Sequence, residues 1–463
     1  MAFESLANTA NAQNQAFLKN MLWSQTWKPS PLFKRLFAGV DKSILTGDDM
    51  KSKVISGNSF YIENGGAGAA IGATGTLTFA EYTFVKKLQA IPLNMDLRMQ
   101  IELDNMNNKD SAAATTARWF KEIVTKADDL VEWQMLGDNS GKIAGVKAAT
   151  AIAAGVVTLD ADTPRKVFDK LLSVGTYVLA GALSSGVATS TAATTTGYIH
   201  GWISANDPVA KTITLTTAQY GTTTTNLDKA ATASLYIFFA TPGTAQTAAV
   251  TGMAGVGLAS TTTDLITMTC MNGIRKTNEV LTGSYALHGI TKSAQFNPIY
   301  LAGDSTKGLL PGNLSELMNN INTTVQSQHV IGTSNIIWND WCDAFRAASF
   351  VDAFKEQANF EPGFMSGGRI IPVHAEGYWD ALGVVHGIDT STHHIIYSQM
   401  PFLRDAGTDE VGWAFRFPEA LHQNSAYYGA GNQLVFMGNL VSDGRRNQNF
   451  MMDSLQTTAL YGA

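Results

Sequence analysis

The spacing of apolar and polar positions divides the chain into segments of different period. Residues 1–50 are polar, with scattered Asn and Gln. Their positions Phe17, Met21, Leu22 and Trp23 fit a short amphipathic helix over about 7–22, which Pro29 and Pro31 end. Residues 32–50 mix apolar and basic side chains without a firm period and read as an arm that needs a surface to lie on. Residues 53–63 and 77–88 are strand-like and carry Phe60, Tyr61, Phe79, Tyr82 and Phe84, while 65–75 between them is almost entirely Gly and Ala. This pattern predicts a long hairpin. A two-stranded hairpin is marginal alone in water, so its aromatic residues need a second surface, either this chain's own core or a neighbouring chain.

After Pro92 a strand-like piece over 93–103 leads to a helix starting near Asp110 or Ser111, either of which can cap it. Ala113, Ala117, Phe120, Val124, Ala127, Val131 and Met135 recur at helical spacing, so one face is apolar throughout. At about 1.5 Å per residue, the span to 136 makes a rod of roughly 40 Å. Gly137 ends it, inside Leu136-Gly-Asp-Asn-Ser-Gly-Lys-Ile-Ala-Gly-Val146, a capping glycine followed by tight turns.

From 147 to 243 the pattern becomes short strands (155–160, 166–180, 197–204, 211–217, 234–240) separated by Thr-, Gly- and Ala-rich turns, as in a small barrel or sandwich inserted into a larger fold. Beyond 252, helices are predicted over 314–325 and 338–355. Strands are predicted over 369–372, 379–387, 394–400, 411–417 and 433–441. There is no internal repeat.

Charge and composition narrow the function. Only 15% of residues are charged, against about 25% in a typical domain, which suits extensive neutral surface. The formal charge of -6 lacks the basic stripe of a general nucleic-acid binder. Two cysteines, Cys270 and Cys342, are too few for a disulfide framework, and Cys342 in its aromatic run reads as a buried structural thiol. No apolar stretch approaches the ~20 residues of a membrane span. With no signal-peptide pattern at the N-terminus, a soluble, cytosolically made protein is expected.

Candidate chemistry is thin. Gly66, Gly68 and Gly72 leave three residues where a dinucleotide fingerprint needs two, and a strand follows where a helix is required. His374, Glu376, Asp380, His386, Asp389, His393 and His394 are the right residue types for zinc or iron. Their spacing is wrong for a helical His-Glu-x-x-His, His393 and His394 point to opposite faces if extended, and adjacent surface histidines are usually just solvated. Ser140 sits fourth, not third, between Gly137 and Gly141, so it makes no nucleophile elbow. The pairs Asp128/Asp129 and Glu102/Asp104 read as solvated. The reading is therefore no enzyme, no cofactor and no metal.

The order of arm, extended hairpin, long amphipathic helix and the turn over 136–146 resembles the Hong Kong 97-type major capsid proteins of tailed bacteriophages, with Asn139 replacing a glycine of the family's turn. The match is firm over 50–146, looser over 270–455 and absent over 147–243. The resemblance implies an α+β fold: N-terminal arm (1–51), E-loop (52–92), peripheral domain with spine helix (93–146, helix about 110–136), β-rich insertion (147–245), axial domain (246–400) and return strands (401–463). It implies inter-subunit roles for Phe60, Tyr61, Phe79, Tyr82, Phe84, Lys86 and Lys87 of the E-loop and for Phe120, Val124 and Val131 of the helix. Its partners would be further copies of itself, in hexamers and pentamers, with a separate scaffolding protein, a portal and a decoration protein. The shell would enclose double-stranded DNA without sequence-specific binding and without a membrane, assembling in the host cytoplasm into a virion. No acceptor for a Lys86 or Lys87 cross-link is identifiable. An encapsulin-like compartment, a tail, fibre or adhesin protein, and a histidine-site metalloenzyme are the alternatives.

Overall fold

The computed structural model describes residues 30–44, 49–58, 77–96, 129–137, 141–148, 150–184, 187–189, 199–218, 221–224, 227, 235–239, 270–280, 287, 297–305, 308–321, 329–348, 363–366, 369–379, 382–397, 414–416, 429–443 and 448–456. The expected helix over 7–22, the whole Gly/Ala stretch over 65–75 and most of the long helix lie outside them.

In chain order, α1 (Pro31–Gly39) leads into β1 (Asp41–Ile44), β2 (Asp49–Asn58), β3 (Leu77–Val85) and β4 (Lys87–Asp96). Helix α2 is described over 129–136. Then come β5 (Ala144–Gly145), β6 (Val156–Thr158), α3 (Arg165–Lys170), β7 (Tyr177–Ser184), β8 (Val187–Thr189), β9 (Ile199–Asp207), β10 (Thr212–Thr216) and β11 (Leu235–Phe239). The remainder is α4 (Ile274–Thr277), β12 (Ile299–Ala302), α5 (Pro311–Asn320), β13 (His329–Thr333), α6 (Asn335–Ala348), β14 (Gly363–Ser366) and β15 (Arg369–Ala375). It closes with β16 (Val385–Asp389), β17 (His393–Tyr397), β18 (Ala414–Arg416), β19 (Gly429–Ser442) and β20 (Phe450–Asp453). Among the described residues no helix is long and apolar enough to cross a membrane.

The chain forms two units. The first holds Met1–Phe33, Lys87–Gly273 and Met400–Met437; the second holds Lys34–Lys86, Ile274–Gln399 and Gly438–Ala463. The first is dominated by a seven-stranded sheet of order β5-β11-β7-β9-β10-β6, with β8 paired to β7. Ile203, Ile213, Leu215, Val157 and Ile237 are buried along it, together with Val167, Phe168 and Leu172 of the α3 segment. The second contains a six-stranded mixed sheet, β12-β20-β16-β13-β15-β14. One face of that sheet (Ile331, Val373, Val385, Phe450, Met452) packs on Leu314, Leu317 and Met318 of α5 and on Ile337 and Trp341 of α6.

Several elements differ from expectation for identifiable reasons. Residues 32–39, read as arm without period, are helical. Ser30 Oγ accepts from the Phe33 amide at 3.1 Å, Pro31 opens the helix, and Leu32, Phe33 and Leu36 are buried. Residues 166–180 are not one strand. The buried positions Val167, Phe168, Leu171 and Leu172 have helical spacing, so α3 forms. The chain then turns through Gly175 at φ 87° before β7 begins. The expected strand over 379–387 starts only at Val385, because Glu376 Oε1 accepts from the Tyr378 amide and Gly377–Trp379 closes a 3-10 turn. Cys342 is only half-buried, and Cys270 is the buried thiol.

Candidate assembly surface

Strands β2 and β3 pair only with each other among the described residues, as an antiparallel two-stranded sheet from Asp49↔Val85 to Asn58↔Leu77. A bulge between Ile55 and Gly57 shifts the register near its far end. Strand alternation puts Phe79, Glu81, Thr83 and Val85 on one face and Phe84 on the other. The two faces have different fates: Phe84 is 3% exposed, whereas Phe79 is 56% and Val85 47% exposed. The same outward face carries the Lys51–Glu81 ion pair at 3.1 Å, itself largely solvated. A pair of that kind contributes at most about 1 kcal/mol, so it does not replace the apolar cover that Phe79 lacks.

The base of this ladder is anchored. Asn439 of β19, 2% exposed, donates its Nδ2 to the Val85 carbonyl at 2.8 Å. Lys86 is buried. Lys87 is half-buried, and burial holds its amine below the ordinary lysine range against the opposing pull of Cys270. Of the remaining expected residues, Tyr82 pairs with Ser52 in the backbone register and Val131 of α2 is buried. Phe60, Tyr61, Phe120 and Val124 lie outside the described residues.

Inside the first unit, α2 carries a buried ionic cluster. Lys170 of α3 reaches Glu132 at 2.6 Å and Asp129 at 2.8 Å, and Lys166 reaches Glu132 at 2.8 Å. The Ser30 amide donates to the same Glu132 carboxylate at 3.1 Å. Burial raises the Glu132 pKa, but Lys166 and Lys170 outweigh it and leave the carboxyl below its usual range. Burial also opposes the Lys170 charge, yet its bonds to Asp129 and Glu132 hold the amine above the usual range. Asp129, expected at a solvated surface, is 6% exposed. Asp129/Glu132 at i,i+3 and Lys166/Lys170 at i,i+4 are single-face spacings, and that was the available signal for this cluster.

The described histidines of the second unit with buried side chains are tied into its sheets and turns. His393 is fully buried, with Thr392 Oγ1 3.0 Å from its Nδ1 and Thr277 Oγ1 3.2 Å from its Nε2. The adjacent His394 faces the other way and lies near Asp41 and Asp443. His374 and His386 are both buried, on strands flanking β13. Among the described residues no group of three or more His, Cys, Asp or Glu is arranged to hold a metal. Asp380 lies outside them.

No known family model and no curated protein matches this sequence. Solved structures do. The capsid asymmetric unit of cyanophage A-1(L) superposes with a TM-score of 0.50 over 97% of this chain and 99% of that one, at 8% identity. The capsid of the native GTA particle gives a TM-score of 0.40 over 98% and 99% of the two chains, at 10% identity. The holo-SrpI encapsulin complex of Synechococcus elongatus gives 0.43 over 100% and 99%, at 7% identity. The chain has the fold of a phage capsid subunit. That fold agrees with the α+β capsid fold that the resemblance implied.

Proposed function

We propose that this chain is a major capsid protein that self-assembles into an icosahedral shell around double-stranded DNA. The observation that carries this reading is the β2–β3 ladder: two strands anchored at one end by Asn439, with an outward face that leaves Phe79 more than half exposed. A ladder of this kind gains stability when a second surface covers it, and the capsid fold supplies that surface in the next subunit. In this reading 52–92 is the E-loop, 1–51 the arm, 93–146 the peripheral domain with its spine helix over about 110–136, 147–245 a β-rich insertion domain, 246–400 the axial domain and 401–463 the return strands. Phe60, Tyr61, Phe79, Tyr82 and Lys87 then serve the E-loop contact, with Phe84 and Lys86, buried in the subunit, holding its base, and Phe120, Val124 and Val131 the spine.

Hexamers and pentamers form with a separate scaffolding protein, around a portal and with room for a decoration protein, in the host cytoplasm. The role is structural rather than enzymatic. A subunit charge of -6, repeated over a shell, avoids a tight electrostatic grip on the packaged genome. The test is co-expression with the matching scaffold, followed by negative-stain microscopy. Closed shells tens of nanometres across are expected in order of magnitude, from the usual subunit dimensions. A protein that stays monomeric under these conditions overturns the reading, and a closed shell that packages protein cargo in place of DNA assigns it to a compartment.

A further inference from the structure

The six-stranded sheet of the second unit has one apolar face, packed on α5 and α6, and one that carries a buried imidazole. Across that second face the register aligns His374 of β15, Gly332 of β13, His386 of β16, Met451 of β20 and Tyr300 of β12 in a single row. Tyr300, at the open end of the row, is 45% exposed, whereas His386 is 1% exposed. The Trp379 ring meets His386 edge-on at 5.2 Å, and the segment just after α4 covers it.

The covering contact fixes the state of the ring. Asn278, fully buried, has its Nδ2 2.8 Å from the Phe450 carbonyl and 3.2 Å from His386 Nδ1. A carbonyl can only accept, so that end of the amide is the donor. The same nitrogen faces His386 Nδ1, which must therefore present its lone pair: the ring is neutral, with its proton on Nε2. Protonating Nδ1 would set N–H against N–H. Turning the Asn278 amide over would only set its oxygen against the Phe450 carbonyl. With the amide held this way by the Phe450 carbonyl, the imidazolium cannot keep this contact.

Among the described residues, the charged and titratable groups on this side of the surrounding elements are Arg275 on α4, His374 and Glu376 at the end of β15, Tyr300 on β12 and Asp453 on β20. β13 presents only Gly332 and Val330 on this side, while His329 and Asp389 point to the opposite face by strand parity. Glu376 already accepts from the Tyr378 amide, and Asp453 from the Tyr300 hydroxyl at 2.8 Å. Arg275 is the charge that acts on His386, and it disfavours a second cation.

We propose that His386 is an acid-sensitive latch: residues 274–278 stay docked on this sheet only while the His386 imidazole is neutral, and acid releases them. Burial first, and Arg275 second, push the ring down to about 3, far below the ordinary histidine value of about 6.5. The released form takes up a proton that the docked form refuses. Docking is therefore at full strength above about pH 6.5 and weakens as pH falls toward 3, by about tenfold in equilibrium constant per pH unit. Thr277, whose hydroxyl lies against His393, would be released with the same turn. The latch belongs to the subunit itself, so it holds or fails independently of what any shell encloses.

Hydrogen–deuterium exchange on the full-length protein tests this, comparing pH 7 with pH 5 after correction for intrinsic exchange rates. The Asn278 amide, bonded to the Ile274 carbonyl at 2.9 Å, should lose protection by about tenfold or more, while amides of β13 keep theirs. In His386→Gln, which can still accept from Asn278 but cannot ionise, the pH dependence should disappear. An equal loss in the variant, or none in the wild type, overturns the proposal. If the variant does not fold, nitrogen-15 histidine NMR of the wild type decides at pH 7. A neutral Nε2–H tautomer supports the latch, and an Nδ1–H or charged ring overturns it.

Discussion

Lys170 and Glu132 meet at 2.6 Å with both side chains 1% exposed, joining α3 of the β-rich segment to α2. Two lysines face two carboxylates here, so the cluster is neutral as a whole and costly to break in part. Lys170→Ala takes from Asp129 its 2.8 Å and from Glu132 its 2.6 Å partner. A loss of about 3–5 kcal/mol is expected, read by urea denaturation of the unassembled subunit. The double variant Glu132→Leu/Lys170→Met removes one charge of each sign and should cost clearly less than the two single changes added together. A simple sum would show that the pair is not coupled.

The same cluster sets a pH window of its own. The Glu132 carboxyl is held below its usual range. Its contribution is therefore full above the ordinary glutamate value of about 4.3 and lost as pH falls through the folded-state value. Lys170 has the opposite sign: its raised pKa gives a contribution present below about 10.4 and lost as pH rises through the folded-state value. Denaturation midpoints of wild type and Glu132→Gln should therefore differ most between those limits and converge in stronger acid. A constant difference down to low pH would contradict the assignment.

Phe79 and Phe84 are five residues apart and should respond in opposite ways. Phe84→Ala empties a buried site and should cost about 3–5 kcal/mol of subunit stability. Phe79→Ser removes an exposed ring and should leave stability within about 0.5 kcal/mol, while blocking shell closure as judged by sedimentation and negative-stain microscopy. Normal shells from Phe79→Ser would remove this face from the assembly contact.

The contrast marks what the sequence could convey. Strand-type residues on either side of a Gly/Ala stretch were enough to place β2 and β3, because pairing between neighbouring segments is a local signal. Which aromatic residue turns inward depends on how the ladder is seated, and Asn439, more than three hundred residues away, bonds its base at Val85. Asp129 was misread for the same reason. A carboxylate on a helix reads as solvated until Lys170, on another helix, is known to reach it. Residues 166–180 failed differently: Val167, Phe168, Leu171 and Leu172 run almost without a break into the apolar β7, and their helical spacing is easily lost in a continuous strand. The histidines were legible as a cluster but not as buried, since only the sheet order brings β15 and β16 to opposite sides of Gly332.

Gly387 gives a last test, on the core beneath the same sheet. It stands opposite Phe450 in the β16–β20 pairing, and a Cβ built on it would lie 1.9 Å from the ring of Phe450. That ring is fully buried among Val385, Met452 and the side chains of α5 and α6, so it has no free volume to retreat into. Gly387→Ala should therefore cost at least about 1–3 kcal/mol by overpacking, measured by thermal or urea unfolding. Adding Phe450→Leu should recover part of that loss, because the shorter side chain vacates the space the new methyl needs. Failure of the second change to help would mean that the cost arises in the backbone of β16 and not from the ring.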